Sequence, residues 1–372
     1  GGSRPRPYAP VQNAVIAGKK IYFWRKKMKK SKFKLFAALL LAAAMTVLSL
    51  SGAAPVLADE TAAILANAAK SPALHTAPEG YDQNDFNKVR TFLEQTDSNG
   101  IRNGEKLNPD GYDPDDPESW GALFVDEWGF EHEAYFDWEE VDGINRMFAI
   151  NLTYIKDFAG TFDMSGLDAL STLDVDGGNF TTADLSNCYE MTHCYFANST
   201  LSSVNFFNCA NVTELYLQDN ELTEVLNLGD CTSLLFLDIL MNSDLEEIDL
   251  SGCERIIEHL DFSQTKVSDV NETEMFALCE FSCESSGITE LDLRNCNYLN
   301  YVNCNFCDMD FLYLPELPNN LAVNCMETGL TELNYENCGG IYDLSISGNP
   351  GLTGKLNLAS NPYLMNVSAD NC

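Results

Sequence analysis

From Gly143 onward, apolar side chains recur in a short fixed figure: apolar, two variable residues, apolar, one variable residue, apolar. Taking the second apolar position as an anchor gives Ile150, Leu173, Cys194, Leu215, Leu237, Leu260, Phe281, Val302, Val323, Leu344 and Val367, spaced 21 to 23 residues apart. Two residues past the anchor stands another apolar or thiol side chain, as in Leu152, Phe196, Phe262 and Cys304. Five residues past it the chain places a small hydrogen-bonding residue or Cys, among them Asn220, Asn242, Thr265, Cys307, Thr328, Asn349 and Cys372. A second apolar pair follows (Leu222 and Val225, for example), and then a corner such as Asp184-Leu185-Ser186-Asn187-Cys188 or Asp249-Leu250-Ser251-Gly252-Cys253.

A single such coil has too little apolar surface to bury by itself, because alternate residues of its short extended segment face opposite ways. Stacking coils one strand spacing apart makes a continuous core and a parallel sheet whose hydrogen bonds run from coil to coil. An inward Asn, Thr or Cys at the corner can then meet main-chain groups left over where the strand ends.

The pattern L-x-x-L-x-L-x-x-N-x-L-T-x-L-D-L-S-x-C resembles bacterial leucine-rich-repeat proteins of the internalin-like kind, over residues 143–372. The resemblance implies a right-handed horseshoe or arc with a parallel sheet on its concave face and irregular short strands on the convex side. It also implies binding to another macromolecule outside the cell or on its surface. Met275 and Leu317 replace the corner Cys, and Asn271-Glu-Thr-Glu274 interrupts the second segment, so irregular convex turns are expected there.

A raw apolar first coil calls for a covering element, and residues 81–142 are expected to be a small α+β cap. Phe86, Val89, Phe92 and Leu93 share one face of a helix expected from near Asn84 to near Gly100. The stretch from Trp120 to Trp138, with three Trp, reads as aromatic strands or a hairpin. The Tyr112–Trp120 segment (Y-D-P-D-D-P-E-S-W) resembles one that often precedes such repeats, without a role that its residues disclose. The basic run Lys29–Lys34 after Met28, the apolar run from Leu35 and the Val56-Leu57-Ala58 site read as a signal peptide over 28–58, with an uncleaved anchor as the alternative. Residues 1–27 read as an upstream extension and 59–80 as a linker. The last of about eleven coils stops unclosed at Cys372, so a continuation is expected.

Charge is divided sharply along the chain. Of 22 Lys and Arg, 11 precede Asp59, and all 56 Asp and Glu follow from it, leaving residues 59–372 at a net −45. That surplus argues against nucleic acid and anionic membrane as partners, and no membrane insertion is expected after signal cleavage. All 13 Cys lie from Cys188 on. Cys188, Cys209, Cys231, Cys253, Cys296 and Cys338 share the corner, and Cys283, Cys304 and Cys325 share a strand position. Equal registers give parallel Cβ vectors, which suit buried thiols better than disulfides, one or two bridges being the alternative. The spacing of Cys304 and Cys307 suits a metal or redox pair, but the two occupy different repeat positions.

Catalytic motifs are missing: His75, His132, His193 and His259 form no H-E-x-x-H, and no G-x-S-x-G elbow occurs. Asp97-Ser-Asn99-Gly100 and Asp110–Asp116 offer carboxylates to a hard cation, yet Gly100 is misplaced for an EF-hand loop and solvated turns explain both. Neither enzyme activity nor any metal or cofactor is expected. What remains is the outer face of the long sheet, where the residues at −1 and +1 from each anchor point. There Tyr195, Tyr216, Phe236, His193 and His259 gather beside Asp174, Asp238, Asp261 and Glu214, with Tyr301 farther along. Lateral packing on the sheet would explain the aromatics equally; as a recognition surface they would take a basic protein or peptide. The expected function is a secreted or cell-surface scaffold for protein–protein recognition or adhesion. A carbohydrate-binding surface, or a non-catalytic arm of a larger secreted enzyme, are the alternatives.

Overall fold

The computed structural model describes residues 75–372 apart from 126–130, 154–156, 224, 317–319, 334–337 and 354–357. The signal peptide and upstream extension lie outside the described residues, as do most of the linker, Trp128 and Leu317. One sheet of thirteen strands runs through the repeats. It begins with Ala122–Val125, Glu131–Val141 and Ile144–Leu152, joined antiparallel, and continues through ten parallel strands from Thr172–Asp176 to Asn366–Ser368. The register is the one the spacing implies. Each anchor is paired with the next, from Ile150 opposite Leu173 to Leu344 opposite Val367. Every anchor but Val367 is buried.

The coils are fastened to one another at the end of each strand. The residue four past the anchor adopts a left-handed backbone in ten coils, from Gly177 and Asn198 through Met241, Phe306 and Glu327 to Asn371. That turn costs about 1–2 kcal/mol at a residue with a Cβ. Its N–H is thereby aimed at the next coil: Asp219 donates to the Leu240 carbonyl, Met241 to Ser263, Gln264 to Glu284, and Phe306 to Met326, at 2.7–3.0 Å. The following side chain turns inward, as expected. Asn242 is fully buried; its Nδ2 donates to the carbonyls of Leu217 (3.0 Å) and Ile239 (2.9 Å), and its Oδ1 accepts from Leu222 N (3.2 Å). Asn220 and Asn349 repeat the arrangement, and Cys307 Sγ fills the same place by donating to the Cys283 carbonyl (3.0 Å).

All thirteen Cys are free thiols, eleven of them buried. Corner thiols donate to a carbonyl 24 residues back, Cys188 to Met164 and Cys209 to Leu185. Burial pushes the Cys253 and Cys296 thiols up to about 12. Cys283 and Cys307 share a thiol–thiol hydrogen bond at 4.0 Å, with no disulfide between them. Hydrogen bonding, from Cys283 first and then Ser286 and backbone amides, draws Cys307 down to about 7.

Ahead of the repeats, helix α1 (Gln83–Leu93) is capped by Asp82, whose carboxylate accepts from Asn84 N and Asp85 N. It buries Phe86, Val89, Phe92 and Leu93, the face its periodicity predicts. The expectation that it runs to Gly100 is wrong. It closes at Glu94, the chain bridges Thr96 to Arg102 around a left-handed Gly100, and a second helix, α2 (Asn103–Leu107), begins. Phe92 packs against Phe158, Phe162 and Phe180 at 5.3–5.9 Å, so α1 lies on the first coils. Asp85, fully buried, accepts from Arg146 Nε (2.8 Å) and Met147 N (3.1 Å). The Tyr112–Trp120 segment acquires a role: Asp116 caps a 3₁₀ turn, Pro117–Ser119, and the Trp120 indole N–H donates to Asp113 O while its ring stacks on Phe86 at 5.2 Å. At Asp97 the carboxylate pairs with Lys106 (2.9 Å), which holds it below the usual carboxylate range.

Two neighbours should respond oppositely to substitution. Asn242→Ala strands two carbonyls and an amide in the core and should cost about 2–3 kcal/mol in chemical denaturation. Met241→Gly relieves the left-handed turn and should gain up to about 1 kcal/mol. Thiol alkylation of the native chain should mark the exposed Cys372 first and the half-buried Cys279 next, with the eleven buried thiols reacting only on denaturation.

Candidate binding face

Strand periodicity sends anchors inward and leaves the flanking −1 and +1 residues on the outer face of the long sheet, where stacked coils set equivalent side chains side by side. Tyr195, Tyr216, Phe236, His193, His259, Asp174, Asp238 and Asp261 are all half-buried there, and Glu214 is exposed. Their rings form one continuous row. Tyr195 and Tyr216 are 6.0 Å apart between centroids, Tyr216 and Phe236 4.7 Å, and Phe236 and His259 4.0 Å with the planes only 4° from parallel. His193 joins at 5.6 Å from Tyr216. The rings therefore do pack laterally, and the row they make is itself half open to solvent.

Carboxylates line the row throughout. His193 lies between Asp174 (Nε2, 3.4 Å) and Glu214 (Nδ1, 3.3 Å), and His259 Nδ1 meets Glu280 at 3.0 Å. Glu280 is the member that the sequence reasoning left out, although it stands in the same −1 column as His259. Asp238 and Asp261 are direct register partners, so two carboxylates sit one strand spacing apart. One oxygen of each accepts a backbone N–H two residues on, from Leu240 and Ser263. Burial, and then the neighbouring Asp261, holds the Asp238 carboxyl above the ordinary carboxylate value. Burial likewise raises the Tyr216 hydroxyl, with Glu214 adding to the effect. Neither column contains a Lys or Arg. Tyr301 is not brought into the row: it stands two coils beyond His259, its hydroxyl 3.5 Å from Asn324 Nδ2.

Coil-to-coil pairing, inward Asn and the 21-to-23-residue period make this a leucine-rich-repeat solenoid. No protein-family model and no curated protein matches the sequence. Among solved structures the chain is similar to the internalin InlF of Listeria monocytogenes, with 17% identity, TM-score 0.43, 59% of this chain covered and 60% of that one. It is also similar to the functional domain of InlJ from Listeria monocytogenes, which includes a cysteine ladder (18%, TM-score 0.38, 61% and 54%). A third is TLR13 in complex with ssRNA13 (15%, TM-score 0.36, 59% and 44%). The chain thus spans less than two thirds of the length of each.

A carboxyl raised in the fold binds protons more readily there than in the unfolded chain, so its contribution to stability falls as pH rises through that window. Asp238→Asn keeps an oxygen for Leu240 N–H and removes the charge. It should raise the thermal midpoint at pH 7, and the gain should fade below about pH 3, where Asp238 is protonated in both states.

Proposed function

We propose that the protein is an extracellular recognition scaffold, not an enzyme, and that the outer face of its long sheet, the concave side of such a solenoid, binds a basic protein or peptide. The observation that carries this reading is the ring row from Tyr195 to His259, half-buried and edged by Asp174, Glu214, Asp238, Asp261 and Glu280 with no cation among its columns. Aromatic faces supply contact area at little entropic cost, and an unneutralised carboxylate pair such as Asp238 and Asp261 is stabilised by an incoming positive charge. The same surplus of acid disfavours nucleic acid on this face.

Export is supported by the basic and apolar runs ahead of Asp59. Among the described residues no helix is long and apolar enough to cross a membrane. A carbohydrate ligand is the second reading, favoured by the Tyr and Asp side chains that flank the row and by the Asn303 and Asn324 positions beyond it. A glycan array separates the two, since sugar binding without peptide binding selects the second.

In a peptide-library screen against the immobilised chain, basic sequences should be enriched. Tyr216→Ala with Phe236→Ala should weaken the selected peptides by at least about tenfold. Unchanged affinity in that double variant rejects the sheet face as the site.

A further inference from the structure

The other side of the coils carries short strands, and their ladder is broken twice. Phe162–Asp163, Thr182–Asp184 and Ser203–Asn205 form one small sheet, Val225–Asn227 and Glu247–Asp249 a second, and Glu290–Asp292, Phe311–Tyr313 and Glu332–Leu333 a third. The two middle strands pair only with each other. They belong to the coils of 22 and 23 residues that start at Leu215 and Leu237, while the coils before and after have 21. On the far side the next coil has no short strand at all. Ser268–Asn271 leads through a left-handed Asn271 into the 3₁₀ turn Glu272–Glu274.

A groove opens at each break. One, of about 480 Å³, lies between Val204–Phe207 and the Val225–Asn227 strand. The other, of about 510 Å³, lies between Glu246–Ser251 and Ser268–Asn271. Val225, Asp249 and Ser251 line both, so the two are continuous across the middle pair. The lining is mostly polar, but two apolar side chains stand open in it, Val225 (51% exposed) shared by both grooves and Phe207 (57% exposed) beside the smaller one. Glu246, Glu247, Asp249, Glu254 and Asp269 wall the larger groove, and no Lys or Arg lines either one. Glu254 Oε2 is sealed from solvent and has no hydrogen-bond partner among the described residues. Arg255 and Lys266, which adjoin the lining segments in sequence, are engaged with Glu274 (2.7 Å) and Asp244 (2.5 Å).

We propose that this double groove is a second binding site, separate from the long-sheet face, for an extended basic peptide segment. Its Lys or Arg side chains meet the carboxylate wall, and the alternate apolar side chains lie on Val225 and Phe207. The combined volume is that of a ligand cleft. A small cation would use the carboxylates and leave the exposed Val225 and Phe207 unexplained. Open apolar side chains beside an unneutralised carboxylate wall select a basic peptide.

The test uses the full chain and a fluorescent synthetic peptide of alternating Lys and Val, read by anisotropy at near-physiological salt, with an alternating Glu and Val peptide as control. Glu246→Lys with Glu247→Lys, and separately Val225→Glu, alter exposed side chains and should each weaken Lys-Val binding by at least about tenfold. Asp110→Lys with Asp308→Lys changes net charge equally at exposed sites outside the groove and should leave affinity within about twofold, and the groove substitutions should still cause their loss when added to the sheet-face variant, Tyr216→Ala with Phe236→Ala, which is scored alongside. Circular dichroism confirms that each variant is folded. Lack of binding, equal loss in the charge-matched variant, or loss confined to the Tyr216 and Phe236 variant overturns the proposal. So does calcium chloride displacing the peptide from the groove at stoichiometric metal. Because the sheet-face variant is scored alongside, failure of this site and failure of the sheet-face reading give different patterns.

Discussion

Each coil hands the hydrogen bonds of its corner to the next coil, and the rest of the molecule follows from that transfer. The strand ends in a left-handed residue whose N–H points along the stack, and the side chain after it turns inward to hold the carbonyls that the turn leaves behind. Met241, Phe306 and Glu327 accept an unfavourable backbone because the alternative is an unpaired amide next to a dry core. Once the corner is fixed, the period is confined to a narrow range, and a fixed period places side chains in columns. The core column holds Leu, Val and Phe; the corner column holds thiols; the outer columns hold whatever the surface requires.

Columns are what a sequence shows best. The anchors from Ile150 to Val367 could be read directly, since burial demands apolar side chains at one phase and tolerates almost anything beside them. The inward turn of Asn242 and Asn349 was legible for the same reason, a polar residue recurring at a position that must be buried. The left-handed residue was not. Its conformation is set by the neighbouring coil's carbonyl, so Gly177, Met241 and Glu327 serve alike and leave no common letter. Pairings across long separations were equally silent: Asp85 with Arg146 spans 61 residues, and either looks like an ordinary surface charge in isolation. The end of α1 was misplaced because Thr96 and Arg102 form a bridge that no helical periodicity registers.

The outer face was legible as a list of residues and only partly as a site. Column reading put Tyr216, Phe236 and His259 in adjacent coils, and the contacts between their rings follow from the strand spacing alone. Glu280 was passed over because it follows the last aromatic of the row, yet it is the carboxylate nearest His259. Tyr301 was drawn in by residue type, when two strand spacings separate it from the row. Proximity in a solenoid is counted in coils, and chemistry-based grouping overlooks that count.

Stacking acts on every side chain in a column, and its sign depends on the side chain. Rings one strand spacing apart attract, which is why the row from Tyr195 to His259 is continuous. Carboxylates at the same spacing repel, and at Asp238 the neighbouring Asp261 adds to burial, the larger cause, in a carboxyl that resists ionisation. The fold cannot remove that repulsion without disturbing the register that builds its core, and the outer columns contain no Lys or Arg to offset it. A cation supplied from outside at Asp238 and Asp261 would gain more than the Coulomb attraction of one pair, because it would also relieve repulsion between neighbouring coils. Repetition therefore builds the core and, on the outer columns, sets like charges side by side.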